Sequence, residues 1–389
     1  MNFSSNPTQS LTEDMNEVTV NVGAESNSTA AFFSEAQFRR MLSRERKRSE
    51  RSRKHLVLML IDDKTSKRRK GNNALLSQIA EVVCRTMRDT DLAGWFKSNS
   101  VLGVIFTELG ETEIRTAVRI IESKVSTALK QAFKPIQLGK LQISFYAFPE
   151  GWVSGGDLKP ADPTLYPDLL EIENQRILPL MVKRGMDVLG SLLALLVLTP
   201  VFFVLALFVK LTSVGPVFFR QQRVGQYGVA FTFLKFRSMF TSTNASIHKE
   251  YVKNYIAGKA EQAPVDGEQK TVYKITNDPR VTWIGKFMRR TSLDELPQFW
   301  NVLTGEMSLV GPRPPIPYEI EAYDIWHRRR LLEAKPGITG LWQVHGRSRT
   351  TFDEMVRLDL QYSRIWTPML DVKILLQTPR AVLSGDGAY

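Results

Sequence analysis

Between residues 31 and 150 the apolar positions change rhythm several times, and the changes predict an alternation of helices and strands. Phe32 to Lys54 reads as a helix whose second part is dense in charge. Leu56 to Ile61 is an unbroken apolar run closed by Asp62-Asp63, the pattern of a buried strand and its turn. Leu75, Leu76, Ile79, Ala80, Val83 and Met87 then recur at helical spacing. Ala93 to Phe96 and Val101 to Phe106 flank the polar Lys97-Ser98-Asn99-Ser100, which predicts a hairpin. A helix carrying Ile114, Ala117, Val118, Ile121, Val125 and Leu129 and a strand over 142–148 complete an α/β sandwich for residues 31–150. The Ser-, Asn- and Thr-rich residues 1–30 predict a flexible leader, having neither a basic start nor an apolar core. Residues 151–178 follow Pro149 and contain Gly155-Gly156, Pro160, Pro163 and Pro167, the composition of a linker with a domain boundary near 170.

The pattern changes again between Asp187 and Lys210, where 22 residues carry no charge. At about 1.5 Å per residue a helix of that length reaches across the roughly 30 Å hydrocarbon core of a bilayer. Pro200, preceded by Thr199, sits near its middle, and an interior proline breaks or kinks a helix. Positive charge flanks both ends, with Lys183 and Arg184 before and Lys210, Arg220 and Arg223 after. A single crossing would strand one basic flank on the wrong side. A re-entrant helix over about 182–210, broken at Thr199-Pro200 and returning, keeps both flanks on the cytoplasmic side. The Thr199 hydroxyl is then a local partner for backbone groups freed at the break, because lipid offers none. A kinked crossing and a buried core helix are the competing readings.

Composition narrows the classes without choosing one. The chain has 389 residues, 43% hydrophobic and 24% charged, enough for two compact domains and unlike a disordered tail. One cysteine, Cys84, forms no intrachain disulfide, and His55, His248, His327 and His345 are too scattered for a His/Cys metal site. Residues 1–175 hold 24 lysines and arginines against 22 acids, whereas 176–389 hold 28 against 18, so most of the net +12 lies in the second half. That excess suits nucleic acid, an anionic lipid surface or a phosphorylated substrate. Nucleic-acid binding leaves the apolar segment without a role and is set aside. In the first half, the run from Arg39 to Lys54 fits a solvated helix face better than a lipid-facing one.

Chemistry concentrates downstream. Asp294 and Glu295 are adjacent carboxylates among Lys286, Arg289, Arg290 and Arg313. On local grounds Ser292 to Glu295 fits a helix capping box, with Asp294 as an alternative cap that leaves Pro297 in the first turn. Arg313 lies between Pro312 and Pro314, a stiff base for a bidentate phosphate contact.

Two resemblances change the weighting. Through "LVLMLIDD", "RTMRDTDLAGWF" and "LQISFYAFPEG" the first half resembles a GGDEF-type nucleotide cyclase domain. Its central hairpin lacks the glycines and carboxylates that phosphate and metal binding require there, which implies a degenerate, non-catalytic domain. Residues 179–389 resemble the monotopic phosphoglycosyl transferases, the bacterial sugar transferases of membranes. They carry "KFRSM", "RRTSLDELPQFWNVLTGEMSLVGPRP" and "PGITGLWQVHGRS" in order after a basic pair and an apolar hairpin. That resemblance implies a mainly α, monotopic membrane domain at the cytoplasmic face of the bacterial inner membrane. It implies transfer of a sugar-1-phosphate from a UDP-sugar to polyprenyl phosphate, initiating a surface polysaccharide. Asp294 becomes the nucleophile and a metal ligand, Glu295 its partner carboxylate, and Mg²⁺ the cofactor. Lys235, Arg289 and Arg313 become phosphate-binding cations, with Arg237 and Arg347 as further substrate contacts. A carboxylate with an ordinary pKa near 4 is ionised at neutral pH and needs no base; its difficulty is attacking an anion, hence the cations. Trp326 to Arg330 reads as an interfacial helix and 241–276 as a lid or insertion. The alternative from another class is a membrane-anchored, nucleotide-sensing scaffold. The sugar and a homodimer stay open.

Overall fold

The structure is a computed structural model that describes residues 32–63, 73–110, 113–149, 153–154, 157–240, 246–259, 263–265, 268–272, 280–346 and 350–383. The leader expected at 1–30, Gly155-Gly156 and Arg347 lie outside these. Two compact units divide the described residues: one within Met1–Glu45 and Lys54–Ala147, the other within Arg46–Arg53 and Phe148–Tyr389.

Up to the second unit's Phe148 the chain runs β1 (Phe32–Phe33), α1 (Glu35–Ser52, of which Arg46 onward belongs to the second unit), β2 (Leu56–Asp63), α2 (Asn73–Cys84), β3 (Leu92–Lys97), β4 (Val101–Phe106), α3 (Ile114–Ala132), α4 (Pro135–Leu138) and β5 (Leu141–Phe148). They form one sheet in the order β1-β3-β4-β2-β5. β4 pairs antiparallel with both β2 and β3, while β1 joins β3 in parallel. Period-two alternation puts Val57, Met59 and Ile61 of β2 with Leu102, Val104 and Phe106 of β4 in one core, where Leu76, Ile79, Val83, Val125 and Leu129 of α2 and α3 meet them. Phe38 of α1 is wholly buried, and a Cβ on Gly103 would come within 2.5 Å of its ring; the bare strand admits the helix. At the hairpin turn Asn99 takes a left-handed conformation and Ser98 N donates to Glu35 Oε2 at 2.6 Å.

The second unit begins earlier than the linker composition suggested. After β6 (Val153–Ser154) and β7 (Asp157–Leu158), residues through α5 (Pro167–Gln175) are folded into it, with Leu165 and Tyr166 buried. Arg46 explains the anchoring: it donates to Asp168 Oδ1 and Oδ2 at 3.0 and 2.9 Å and to the Leu165 carbonyl, and stacks over Tyr166. Prolines here shape an ordered turn instead of marking a free connector.

The apolar segment forms α6 (Ile177–Val197) and α7 (Thr199–Thr212), bent by 61° with Leu198 between them. Among the described residues no single helix is long and apolar enough to cross a membrane, but the bent pair passes that test together. Pro200 falls in the first turn of α7, where its missing N–H costs little, and Thr199 Oγ1 donates to the Leu195 carbonyl at 2.7 Å. Leu189, Leu193, Leu196, Phe203, Leu207 and Leu211 are exposed, whereas Leu205 and Val209 are buried with Phe236, Ile284 and Met288. One apolar face is thus internal and the other open.

The basic pair before this segment does not serve as a flank. Lys183 Nζ binds Asp371 Oδ2 at 2.6 Å and the Val310 carbonyl at 3.0 Å, and Arg184 donates to the carbonyls of Val302 and Leu303 at 2.8 Å each. These last two carbonyls belong to the C-terminal end of a helix, where a cation is favoured. Lys210 and Arg220 remain exposed, as a flank requires.

The rest of the unit comprises β8 (Phe218–Val224), β9 (Ala230–Phe236), α8 (Ser246–Ile256), β10 (Ala263–Val265), β11 (Glu268–Val272), α9 (Trp283–Arg290), α10 (Gln298–Thr304), β12 (Ser308–Val310), α11 (Pro317–Glu321), α12 (Ile325–Glu333), β13 (Gly337–Thr339), α13 (Leu341–His345), α14 (Phe352–Ile365) and α15 (Pro368–Leu383). β8 and β9 form an antiparallel hairpin, and β12 pairs with β13 in parallel. Helix α12 corrects the interfacial reading of Trp326 to Arg330: His327, Arg330, Leu331 and Leu332 are buried. Arg330 finds its partners in distant segments, the Arg313 carbonyl and Asp359, which the local sequence does not show.

Candidate active site

Hairpin register builds the first wall of the site. Phe219 pairs with Lys235, Gln221 with Phe233 and Arg223 with Phe231, and directly opposed residues share a face. Lys235 and Arg223 therefore stand on the same side as Phe233, whose ring lies 5.4 Å from the Lys235 ammonium and 5.1 Å from the Arg223 guanidinium. Arg223 was legible only as a flanking charge. Its alternation with Gln221 along β8 is the signal that places it here.

The second wall is the turn between α9 and α10. Ser292 adopts a left-handed conformation (φ 57°), which turns the chain into the short 3-10 segment Leu293–Glu295. Ser292 stands at the N-cap of this 3-10 segment without a side-chain capping bond, and the N-cap of α10 is Pro297. The capping explanation for the two carboxylates therefore falls away. α10 is tied to β9 by Asn301, which accepts from Leu234 N at 3.1 Å and donates to the Thr232 carbonyl at 2.7 Å. That tie brings the turn to Lys235.

Lys235 Nζ lies 2.6 Å from Glu295 Oε1 and 3.9 Å from Asp294 Oδ2. Asp294 is buried, and Glu295 keeps about a third of its side chain exposed (34%). Burial pushes the Glu295 carboxyl up; Lys235, then Arg313 and Gln298, pull it down, and the balance lies below the ordinary glutamate value. A depressed folded-state value means stabilisation that is complete above about pH 4.5 and is lost as pH falls through the folded pKa. Lys235→Met removes the largest opposing charge. The margin in melting temperature of the native chain over this variant is expected to be full at pH 6 and to shrink toward pH 3. A margin independent of pH would contradict the pairing.

The third wall is the loop 311–315. Val224 N donates to the Pro315 carbonyl and Arg223 Nη1 to the Pro314 carbonyl, both at 2.9 Å, so the hairpin end is stitched to the loop. Arg313 Nη1 lies 3.4 Å from Glu319 Oε2, and its guanidinium acts electrostatically on Glu295 and Arg223. Arg223 is buried, and burial followed by the charge of Arg313 lowers it to about 10. Lys235 thus meets the Asp294–Glu295 pair directly, while Arg313 and Arg223 act on Glu295 through their charge.

Arg289, in the last turn of α9, donates its Nε to Ser238 Oγ at 3.1 Å. Arg237 does not belong to the site. Its guanidinium is buried and donates to the carbonyls of Pro216 and Ser213 and to Ser213 Oγ, closing the C-terminal end of α7. It is spent on a helix end, as Arg184 is.

With this geometry in place, comparison with known proteins is decisive for the second unit. The model of a family described as "Bacterial sugar transferase" matches residues 178–385. The chain belongs to the bacterial sugar transferases. Similar members include the "Galactosyl transferase CpsE" of Streptococcus agalactiae serotype III, 45% identical over 210 residues that cover 54% of this chain and 44% of that protein. The "Undecaprenyl-phosphate galactose phosphotransferase" of Salmonella typhimurium is 42% identical over 54% of this chain and 42% of its own length. The "Exopolysaccharide production protein ExoY" of Sinorhizobium fredii is 38% identical over 53% of this chain and 88% of its own length. The chain thus spans less than half the length of the first two relatives and most of the third. A solved DGC protein from Thermotoga maritima aligns to 31% of this sugar transferase and 85% of itself, at 14% identity and a TM-score of 0.24.

Proposed function

We propose that the chain transfers a sugar-1-phosphate from a UDP-sugar to polyprenyl phosphate, the first step in building a surface polysaccharide. The observation that carries this reading is Lys235 set against the adjacent carboxylates, 2.6 Å from Glu295 and 3.9 Å from Asp294, with the charges of Arg313 and Arg223 acting on Glu295. Relatives named for undecaprenyl-phosphate phosphotransfer support it. An Asp294 oxygen attacks the sugar-bearing phosphorus of the UDP-sugar; the bridging P–O bond breaks and its electron pair leaves with UMP. A phosphate oxygen of the polyprenyl acceptor then attacks the same phosphorus and the aspartyl bond breaks, freeing Asp294 and a polyprenyl diphosphate sugar. Lys235 offsets Glu295 in the resting site, while Arg313 and Arg223 supply fixed positive charge for the diphosphate without reorganising.

Two adjacent carboxylates are hard oxygen donors of the kind magnesium takes together with substrate phosphates. Among the described residues no group of three His, Cys, Asp or Glu offers a cage formed by protein alone. Asp294 and Glu295 would hold the ion, which when bound would supply further charge neutralisation for the leaving phosphate.

We read α6 and α7 as a re-entrant pair at the cytoplasmic face, supported by their 61° bend and open apolar face. The first unit we read as a degenerate cyclase-like domain, supported by its sheet order and by a hairpin turn without carboxylate or glycine.

UMP release from a panel of UDP-sugars by the membrane-embedded chain with polyprenyl phosphate tests the reaction; no release from any donor would overturn it. For topology, Met181→Cys and Val214→Cys in a Cys84→Ser background are expected to react with an impermeant maleimide from one side only. Labelling of the two from opposite sides would make the segment a crossing.

A further inference from the structure

Behind the loop that carries Arg313 sits Arg330 of α12, wholly buried and the largest such side chain among the described residues. Its Nη2 donates to the carbonyl oxygen of Arg313 at 2.6 Å. Asp359 Oδ2 of α14, itself 1% exposed, lies 3.0 Å from the same nitrogen. At its other end Arg313 is met by Glu319 of α11, also buried, at 3.4 Å. One exposed-facing cation is therefore gripped twice from the interior, at its backbone by Arg330 and at its guanidinium by Glu319.

Stability does not explain this arrangement. A buried ion pair recovers its desolvation cost only in good geometry, and apolar side chains of similar volume often stabilise a protein as well or better. Here the Arg330 side chain directs its hydrogen bond to the backbone of the residue proposed to meet the diphosphate, and Asp359 supplies the counter-charge 3.0 Å from the donating nitrogen. Pro312, Pro314 and Pro315 restrict φ around Arg313 and remove donors on both sides, so the Arg313 carbonyl is the loop's available handle from this direction.

We propose that Arg330, Asp359 and Glu319 form a buried positioning device that sets the Arg313 guanidinium for the substrate diphosphate. The inference rests on the transferase reading above and deepens it. These three residues do not touch substrate; they act through Arg313. Displacing a charge-stabilising group by about 1 Å costs on the order of 100-fold in rate, so that is the scale expected.

The test is a double-mutant cycle on the full chain in membrane, read as kcat/KM for UMP release beside a melting curve. Arg330→Met with Asp359→Leu removes both charges together and is expected to keep the melting temperature of the native chain. In the native background it is expected to lower kcat/KM by about 100-fold; in an Arg313→Ala background the further loss is expected to be under about threefold, because nothing remains to position. Arg330→Lys keeps the charge beside Asp359 and is expected to recover part of the loss. If the double replacement does not fold, Glu319→Gln takes its place in the same cycle. Equal losses in both backgrounds, or no loss in either, would overturn the positioning role. A native chain that releases no UMP overturns the transferase reading and this inference with it, whereas an active native chain with additive losses overturns this inference alone.

Discussion

Asp294→Asn is expected to remove UMP release almost entirely, by about 10⁴-fold or more, the scale of losing a nucleophile whose work no neighbour can do. The substitution is nearly isosteric and leaves Lys235 its 2.6 Å partner in Glu295, so the fold and the cation cluster should persist. What disappears is the charged oxygen that forms the bond to phosphorus. The diagnostic readout is the intact mass of the chain after incubation with a UDP-sugar and no acceptor. The native chain should gain one phosphosugar and the Asn variant none. Glu295→Gln is the informative contrast: Lys235 loses its carboxylate there, turnover should fall, and the adduct should still form. An adduct on the Asn variant that vanishes with Glu295→Gln would transfer the nucleophile to Glu295.

The elements that the sequence makes legible are those whose apolar residues settle the matter by themselves. Val57, Met59 and Ile61 alternate because one face of β2 is covered by α2 and α3, and the hairpin at Lys97-Ser98-Asn99-Ser100 is bounded by apolar runs that become β3 and β4. Site residues are legible where motif and register agree: Lys235 comes to Asp294 and Glu295 because β9 and α10 are tied by Asn301. Cations are where reading from sequence fails. Lys183, Arg184, Arg237 and Arg330 look alike in sequence, each a positive charge near apolar residues, yet all four are occupied inside the fold. Their partners lie 17 to 188 residues away in sequence, and nothing local distinguishes a cation that meets lipid from one that closes a helix end. The charge excess of the second half is thus partly internal scaffolding, and only the remainder is left for the proposed phosphate and membrane contacts.

The glycines of "VGPRP" and "PGITG" carry the second large effect, and its cause is space. β12 and β13 run in parallel with Ser308 opposite Gly337 and Val310 opposite Thr339. Gly311 N donates to the Thr339 carbonyl at 2.8 Å and Gly337 N to the Pro312 carbonyl at 2.9 Å. A Cβ on Gly337 would stand 2.1 Å from Gly311 N, and one on Gly311 would stand 2.2 Å from the Lys335 carbonyl oxygen. Both clashes are with backbone, which has no rotamer to yield, so the two segments must separate and surrender those hydrogen bonds. Gly337→Ala is expected to cost about 3 kcal/mol or more, which for a unit of this size lowers the melting temperature by roughly 6–12 °C. Activity should fall further than the folded fraction does, because Arg313 lies two residues beyond Gly311 and moves with it. Gly185→Ala on α6 is the control, since nothing lies within 4 Å of the added carbon and alanine favours a helix. Equal melting temperatures for the two variants would mean that β12 and β13 are not packed backbone to backbone, and the placement of Arg313 would have to be rebuilt on other contacts.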